Sequence, residues 1–90
     1  MTVSVAPNPV PSGSLYTTSG SGFVPGSFHY LNLDIVDAQG TQFLFPGPDS
    51  NGNFTNQTYA WGTGTSYALV VDLDGNKAVC LLAITSFEVE

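Results

Sequence analysis

Ninety residues, 42% of them apolar and 12% aromatic, make one small domain (residues 1–90) that can collapse but has no room for a second core. Charged residues are only 9%, and one lysine, Lys77, faces seven acids for a net charge of −6. That balance excludes the basic stripe of a nucleic-acid binder and argues against docking on an anionic membrane.

The N-terminus, Met1–Pro7, has neither a basic region nor an apolar stretch of signal-peptide length. No run approaches the roughly 18 apolar residues of a membrane span. The chain is therefore expected to be soluble and made without its own secretion signal. Helix signals are nearly missing. Ten Gly, six Pro and many Ser, Thr and Asn punctuate the chain at roughly 8–12-residue intervals, with β-branched and aromatic residues between them, the rhythm of an antiparallel sandwich or barrel.

A first strand is expected at Thr2–Ala6, ended by Pro7-Asn8-Pro9-Val10-Pro11, because proline removes ladder donors and fixes φ. A second covers Ser14–Ser19, followed by the turn Gly20–Gly26. Phe28–Val36 alternates most clearly: Leu31, Leu33 and Ile35 face one side, and Tyr30, Asn32 and Asp34 the other. Asp37–Gly40 turns into Thr41–Phe45, and Pro46–Gly52 closes that region. Phe54–Trp61 and Ser66–Leu73 follow, Asp74-Gly75 signals a hairpin, and Lys77–Val89 returns. Seven antiparallel strands in an all-β chain of this length predict a single Greek-key β-sandwich.

In the last strand Phe87 and Val89 alternate with Ser86, Glu88 and Glu90, so odd positions should point inward. Without a bulge, that register puts Val79, Leu81 and Ala83 inside and Cys80, Leu82 and Ile84 outside. On the preceding strand it puts Tyr67, Leu69 and Val71 inside and Ala68 and Val70 outside. Ala68, Val70, Cys80, Leu82 and Ile84, joined by Tyr30, then form an outward apolar stripe, the mark of a partner interface. The alternative is a β-bulge that shifts the register midway and buries both sets.

Residues with reactive side chains are few. The acid pairs Asp72/Asp74 and Asp34/Asp37 flank turns, where Asp, Asn and Gly serve backbone geometry; Asp72–Asn76 lacks the glycine position and closing Glu of a calcium loop. His29, the only histidine, is expected at a strand edge, with no Gly-x-Ser-x-Gly elbow to accompany it. Gly20-Ser21-Gly22 lacks the lysine and helix of a phosphate loop. Cys80, the only cysteine, permits neither an intrachain disulfide nor a Cys/His zinc site within one chain, and reads as a small buried apolar residue; the alternative is a reactive thiol or an intermolecular bridge. No catalysis, metal or cofactor is expected. Asn53-Phe54-Thr55 and Asn56-Gln57-Thr58 match the glycosylation sequon by composition alone. Trp61 is expected in the core; on the surface it would instead join Tyr59 and Phe54 in a carbohydrate-stacking platform.

The segments Val5–Gly13 (VAPNPVPSG) and Ser19–Gly26 (SGSGFVPG) resemble the opening and the Gly-Ser/Thr-Gly-Phe-x-Pro-Gly corner of bacterial immunoglobulin-like domains. Asn51-Gly52-Asn53-Phe54 is similar to their Asp/Asn-Gly-x-Phe turn. Gly64–Val71 resembles their Gly-Thr-Tyr-x-Val strand with Ser66 inserted, and makes Tyr67 the equivalent of a strand tyrosine near the sandwich corner. The apolar Cys80–Ile84 departs from the family's Thr-rich last strand. The resemblance implies an immunoglobulin-like sandwich serving as spacer, adhesin module or virion decoration. A lone copy without a leader is expected to be a phage structural protein, made in the host cytoplasm and docked on the capsid surface of the virion. Its partners would be the major capsid protein or sister copies. The alternative is a tail-associated or bacterial cell-surface adhesion module that binds host glycans through Trp61 and Tyr59.

Overall fold

Proline, glycine and Asx-rich turns divide the chain into strands at nearly the expected places. The computed structural model describes all 90 residues. Its seven strands are β1 (Thr2–Ala6), β2 (Leu15–Ser21), β3 (Leu31–Asp37), β4 (Gly40–Leu44), β5 (Phe54–Tyr59), β6 (Gly64–Asp74) and β7 (Lys77–Val89). They form two antiparallel sheets, β1-β2-β5 and β4-β3-β6-β7. The chain changes sheet between β2 and β3, β4 and β5, and β5 and β6, giving an immunoglobulin-like Greek-key sandwich. The proline segment after β1 carries the chain across to β7. There Val10 N–H donates to Glu88 O and Glu90 N–H to Val10 O, both at 2.9 Å, in a parallel bridge that covers one end of the β7 edge.

Val10, Phe23, Leu33, Ile35, Val70 and Phe87 are among the fully buried side chains between the sheets. Tyr16 packs on Phe87 with ring centroids 5.0 Å apart, and Phe23 on Phe54 at 5.5 Å. The Phe54 ring explains Gly20 in the middle of a ladder, because a Cβ there would lie 2.1 Å from Phe54 Cε2. Gly52, at φ +81°, brings its turn against the Phe23 backbone, and Phe23 N–H donates to Gly52 O at 2.9 Å. Only glycine fits there, since a Cβ would lie 2.8 Å from the Phe23 backbone.

The register of the last hairpin corrects the expected stripe. Leu33 pairs with Val70 and Ile35 with Ala68, and residues opposite one another project to the same face. Ala68 and Val70 are therefore completely buried core residues, not outward ones. Asp74 pairs with Lys77 across the two-residue loop Gly75-Asn76, and such a loop pairs odd positions with even ones. The far end has the same parity, Ser66 opposite Phe87 and Gly64 opposite Val89, so inward Phe87 and Val89 go with inward even positions on β6. Along β7 the ladder is then interrupted twice: Val70 pairs with Ala83 but Val71 with Leu81, and Asp72 with Cys80 but Leu73 with Ala78. Leu82 and Val79 are the extra residues of two bulges. The first turns Leu82 partly into the core and Leu81 outward. The expected bulge exists, but it does not bury both sets: Leu81 and Leu82 exchange sides, Val79 is exposed, and Ala83 inside and Ile84 outside stay as expected.

Two further expectations change. Trp61 follows β5 and is 53% exposed, so the core is filled by Phe23, Phe54 and Phe87 instead. Regular pairing of β3 begins at Leu31 rather than Phe28, because the carboxylate of Asp72 takes the backbone donors that precede it.

Candidate docking face

The outer surface of the four-stranded sheet is built in rows that cross the strands. Phe43 on β4 lies opposite Asp34 on β3, Asp34 opposite Leu69 on β6, and Leu69 opposite Ile84 on β7. In the next row Asn32, Val71 and Leu81 stand side by side; on the other flank are Thr41, Val36, Tyr67 and Ser86. Directly opposed side chains in a sheet sit close enough to touch, so these rows form one continuous surface. Phe43 and Phe45 are 64% and 63% exposed, and Leu81 and Ile84 are each 53% exposed. Tyr30 adds to the rim, its ring meeting Phe45 edge-on at 5.4 Å. Contiguous exposed apolar faces of this kind are uncommon on monomers, which makes this surface the candidate docking face.

Within it lies an open depression of about 380 Å³, lined by Asn32, Asp34, Phe43, Phe45, Val71 and Leu73 and closed at the hairpin end by Asn76 and Ala78. Asn32, expected on a solvated face, points outward but is buried, because neighbouring apolar side chains exclude water from the sheet here. Its Nδ2 donates to Asp34 Oδ1. Asp34 is half-buried, and that burial pushes its carboxyl above the usual carboxylate range. Asp34 is thus a side chain of the face, whereas Asp37 does sit at a turn, its Oδ1 accepting from Gln39 N–H at 2.8 Å.

At the end of the sandwich Asp72 acts as a clamp rather than as a turn residue. Its Oδ1 accepts from His29 N–H at 2.7 Å and Tyr30 N–H at 3.0 Å, and its Oδ2 lies 3.1 Å from His29 Nδ1. This replaces ladder bonds and fixes the approach of Tyr30 to the face. His29 is exposed; its hydrogen bond to Asp72, and the charges of Asp72 and Asp74, raise its pKa above the ordinary histidine value. Burial works to raise the carboxyl of Asp72, but the hydrogen bonds from Tyr30 and His29 and the histidine's charge outweigh it and hold the carboxyl below the usual range.

Of the residues expected at a partner interface, Ile84 lies on the face and Tyr30 on its rim, both exposed. Ala68 and Val70 are in the core, and Leu82 packs against it from a bulge. Cys80 is exposed rather than buried, but pairs opposite Asp72 and stands outside the apolar rows. Phe43, Phe45, Leu69, Val71 and Leu81 were missed. The signal for Phe43 and Phe45 is Phe43-Leu44-Phe45, whose flanking aromatics share one face; Leu69, Val71 and Leu81, expected inside by the bulge-free register, lie in the outer rows instead. Trp61 borders a second depression of about 210 Å³ with Asp37, Gln39, Thr41 and Gln42. Tyr59 is exposed on the outer face of the other sheet, and Phe54 is buried, so the three aromatics form no common platform. No three His, Cys, Asp or Glu side chains converge as metal ligands would. Comparison of the chain with protein-family models, with curated proteins and with solved structures finds no match, and the reading of the face rests on its own geometry.

Proposed function

We propose that this chain is a non-enzymatic structural module that docks on another protein through the outer face of its four-stranded sheet. The setting we propose is the one its sequence resemblance implies: a phage virion protein that displays an immunoglobulin-like sandwich on the capsid shell. The observation that carries the docking is the row structure of that face, with Phe43, Phe45, Leu81 and Ile84 each more than half exposed. Burying such side chains is worth about 25 cal/mol per Å² of apolar surface, and two phenyl rings with two branched aliphatics supply a substantial area. The chain's net charge of −6 favours solubility and keeps decorated particles apart. The test is the copy number per particle, by quantitative mass spectrometry of purified virions, for the wild type and for L81D/I84K. Attachment through this face requires the variant to be lost from particles. Equal copy numbers overturn the face, and absence of the wild type from virions overturns the capsid setting.

A second reading keeps one supporting observation: Trp61 is exposed beside Asp37, Gln39 and Gln42, an aromatic ring with polar side chains around a shallow depression. That arrangement suits a sugar ring stacked on the indole, as in a host-glycan adhesion module. Trp61→Ala should then leave the fold intact and abolish binding on a glycan array, and an array on which the wild type binds nothing removes this reading.

A further inference from the structure

The depression in the apolar face has a carboxylate, Asp34, in its lining, and that limits what can cover it. Asp34 is half-buried there, one oxygen held by Asn32 and the surrounding walls formed by Phe43, Phe45, Val71 and Leu73. A purely apolar partner laid over the face would remove the remaining water from Asp34 and leave a carboxyl group without compensation, which disfavours such a partner. We propose that the depression is a socket for an arginine side chain presented by a different protein, its guanidinium paired with Asp34 between the rings of Phe43 and Phe45. This rests on the docking reading above and names the partner's chemistry at that site.

Three observations favour arginine from a foreign protein over a sister copy. The chain contains no arginine, and its one cation, Lys77, alternates with Ala78 and so projects from the other side of β7. A two-fold dimer through this face would bring two Asp34 carboxylates towards one another with no cation between them. The lining holds aromatic rings and a carboxylate, which suits a planar guanidinium that both pairs and stacks better than it suits a compact ammonium. The overall charge of −6 adds a long-range attraction for a basic partner.

The test uses the whole ¹⁵N-labelled chain and two capped tripeptides, acetyl-Leu-Arg-Leu-amide and acetyl-Leu-citrulline-Leu-amide, which differ in charge and hardly in shape. The arginine peptide should shift the backbone amides of Asn32, Asp34, Phe43 and Leu73. It should bind about tenfold more tightly than the citrulline peptide, the gain of one charge-assisted pair. Asp34→Asn should erase that preference, and Asp74→Asn, which removes the same charge elsewhere, should keep it. The socket is overturned if both peptides bind the wild type equally, or if the preference survives Asp34→Asn and so reflects net charge alone. If the citrulline peptide shifts the same face without an arginine preference, the docking face stands and the socket falls. If neither peptide shifts it, both fall.

Discussion

The two sheets present opposite outer surfaces to water. On β1-β2-β5 most outward positions are polar, Thr2, Ser4, Thr17, Ser19, Thr55 and Gln57, as a solvated sheet prefers, with one apolar pair, Leu15 and Tyr59, at the end of the ladder. On β4-β3-β6-β7 the corresponding positions carry Phe43, Leu69, Val71, Leu81 and Ile84. Both inner faces line the core, so folding alone does not require the outer faces to differ. A sandwich of this size can hide only one layer of side chains, and an apolar outer layer concentrated on one sheet is the feature that the proposed docking accounts for.

The sharpest way to break this comparison is to treat inner and outer residues of one strand alike. Phe87 and Ile84 stand three residues apart on β7, the first buried against Tyr16 and the second half exposed. Phe87→Ala should cost about 3–5 kcal/mol, enough to unfold most of so small a domain. Ile84→Ala should cost far less in the same urea titration, and equal losses would mean that Ile84 belongs to the core after all. Gly20→Ala is the next largest expected effect. The added methyl collides with Phe54 Cε2, and displacing that ring should cost about 1–3 kcal/mol, read as a lower urea midpoint.

Which of these residues faces inward was only partly legible in the sequence. Thr2–Ala6 and Lys77–Val89 have the expected bounds, because prolines and a Gly75-Asn76 loop delimit them chemically. The all-β class follows from the same punctuation. The face did not follow, for a physical reason: parity on β6 and β7 is linked through the loop, and a two-residue loop pairs odd with even. Each single-residue bulge reverses that link, and Phe87 faces inward with Val70 only because two bulges cancel. The bulges at Leu82 and Val79 were not legible, since nothing in Val79-Cys80-Leu81-Leu82-Ala83 distinguishes a paired apolar residue from an extra one. Asp72 was misread because a carboxylate near a hairpin has two uses, and only tertiary contact with His29 and Tyr30 separates them.

That clamp predicts a pH window at the edge of the apolar face. His29 has a raised folded-state pKa, so its contribution is complete below the ordinary histidine value and is lost as pH rises through the raised one. Asp72 has a lowered pKa, so its contribution is complete above the ordinary carboxylate value and is lost as pH falls through the lowered one. The pair stabilises most between about pH 4 and 6.5. His29→Ala should flatten the decline of the urea midpoint between about pH 6 and 8 and leave the acid side governed by the carboxylates. A separate alkaline loss belongs to Tyr16, whose hydroxyl is pushed up to about 12 by burial and by the nearby Asp37 charge, with the neighbouring Thr58 hydroxyl opposing them. It should persist in the His29 variant.

Inside the sandwich Thr18 is fully buried on β2, and its hydroxyl has no hydrogen-bond partner. Thr18→Val keeps the branched shape and removes the unpaired group, so it should stabilise the fold by about 1 kcal/mol and raise Tm by about 4–8 °C. An unchanged Tm would mean that the hydroxyl finds a partner.

The smallest expected effect on stability addresses the comparison most directly. Leu81→Thr with Ile84→Thr gives the outer face of β7 the chemistry of β2, where Thr17 and Ser19 face water. Threonine favours strands, and both positions are already half exposed, so the change should stay within about 0.5 kcal/mol per site. Binding of a hydrophobic dye to the folded domain should nevertheless fall sharply, because the exposed apolar rows lose two of their largest members. The reverse pair, Thr17→Ile with Ser19→Ile, should make the polar sheet bind the dye. If the threonine variant unfolds instead, Leu69 and Val71 depend on their β7 neighbours for cover, and the outer face is then a second core layer rather than a surface left open for a partner.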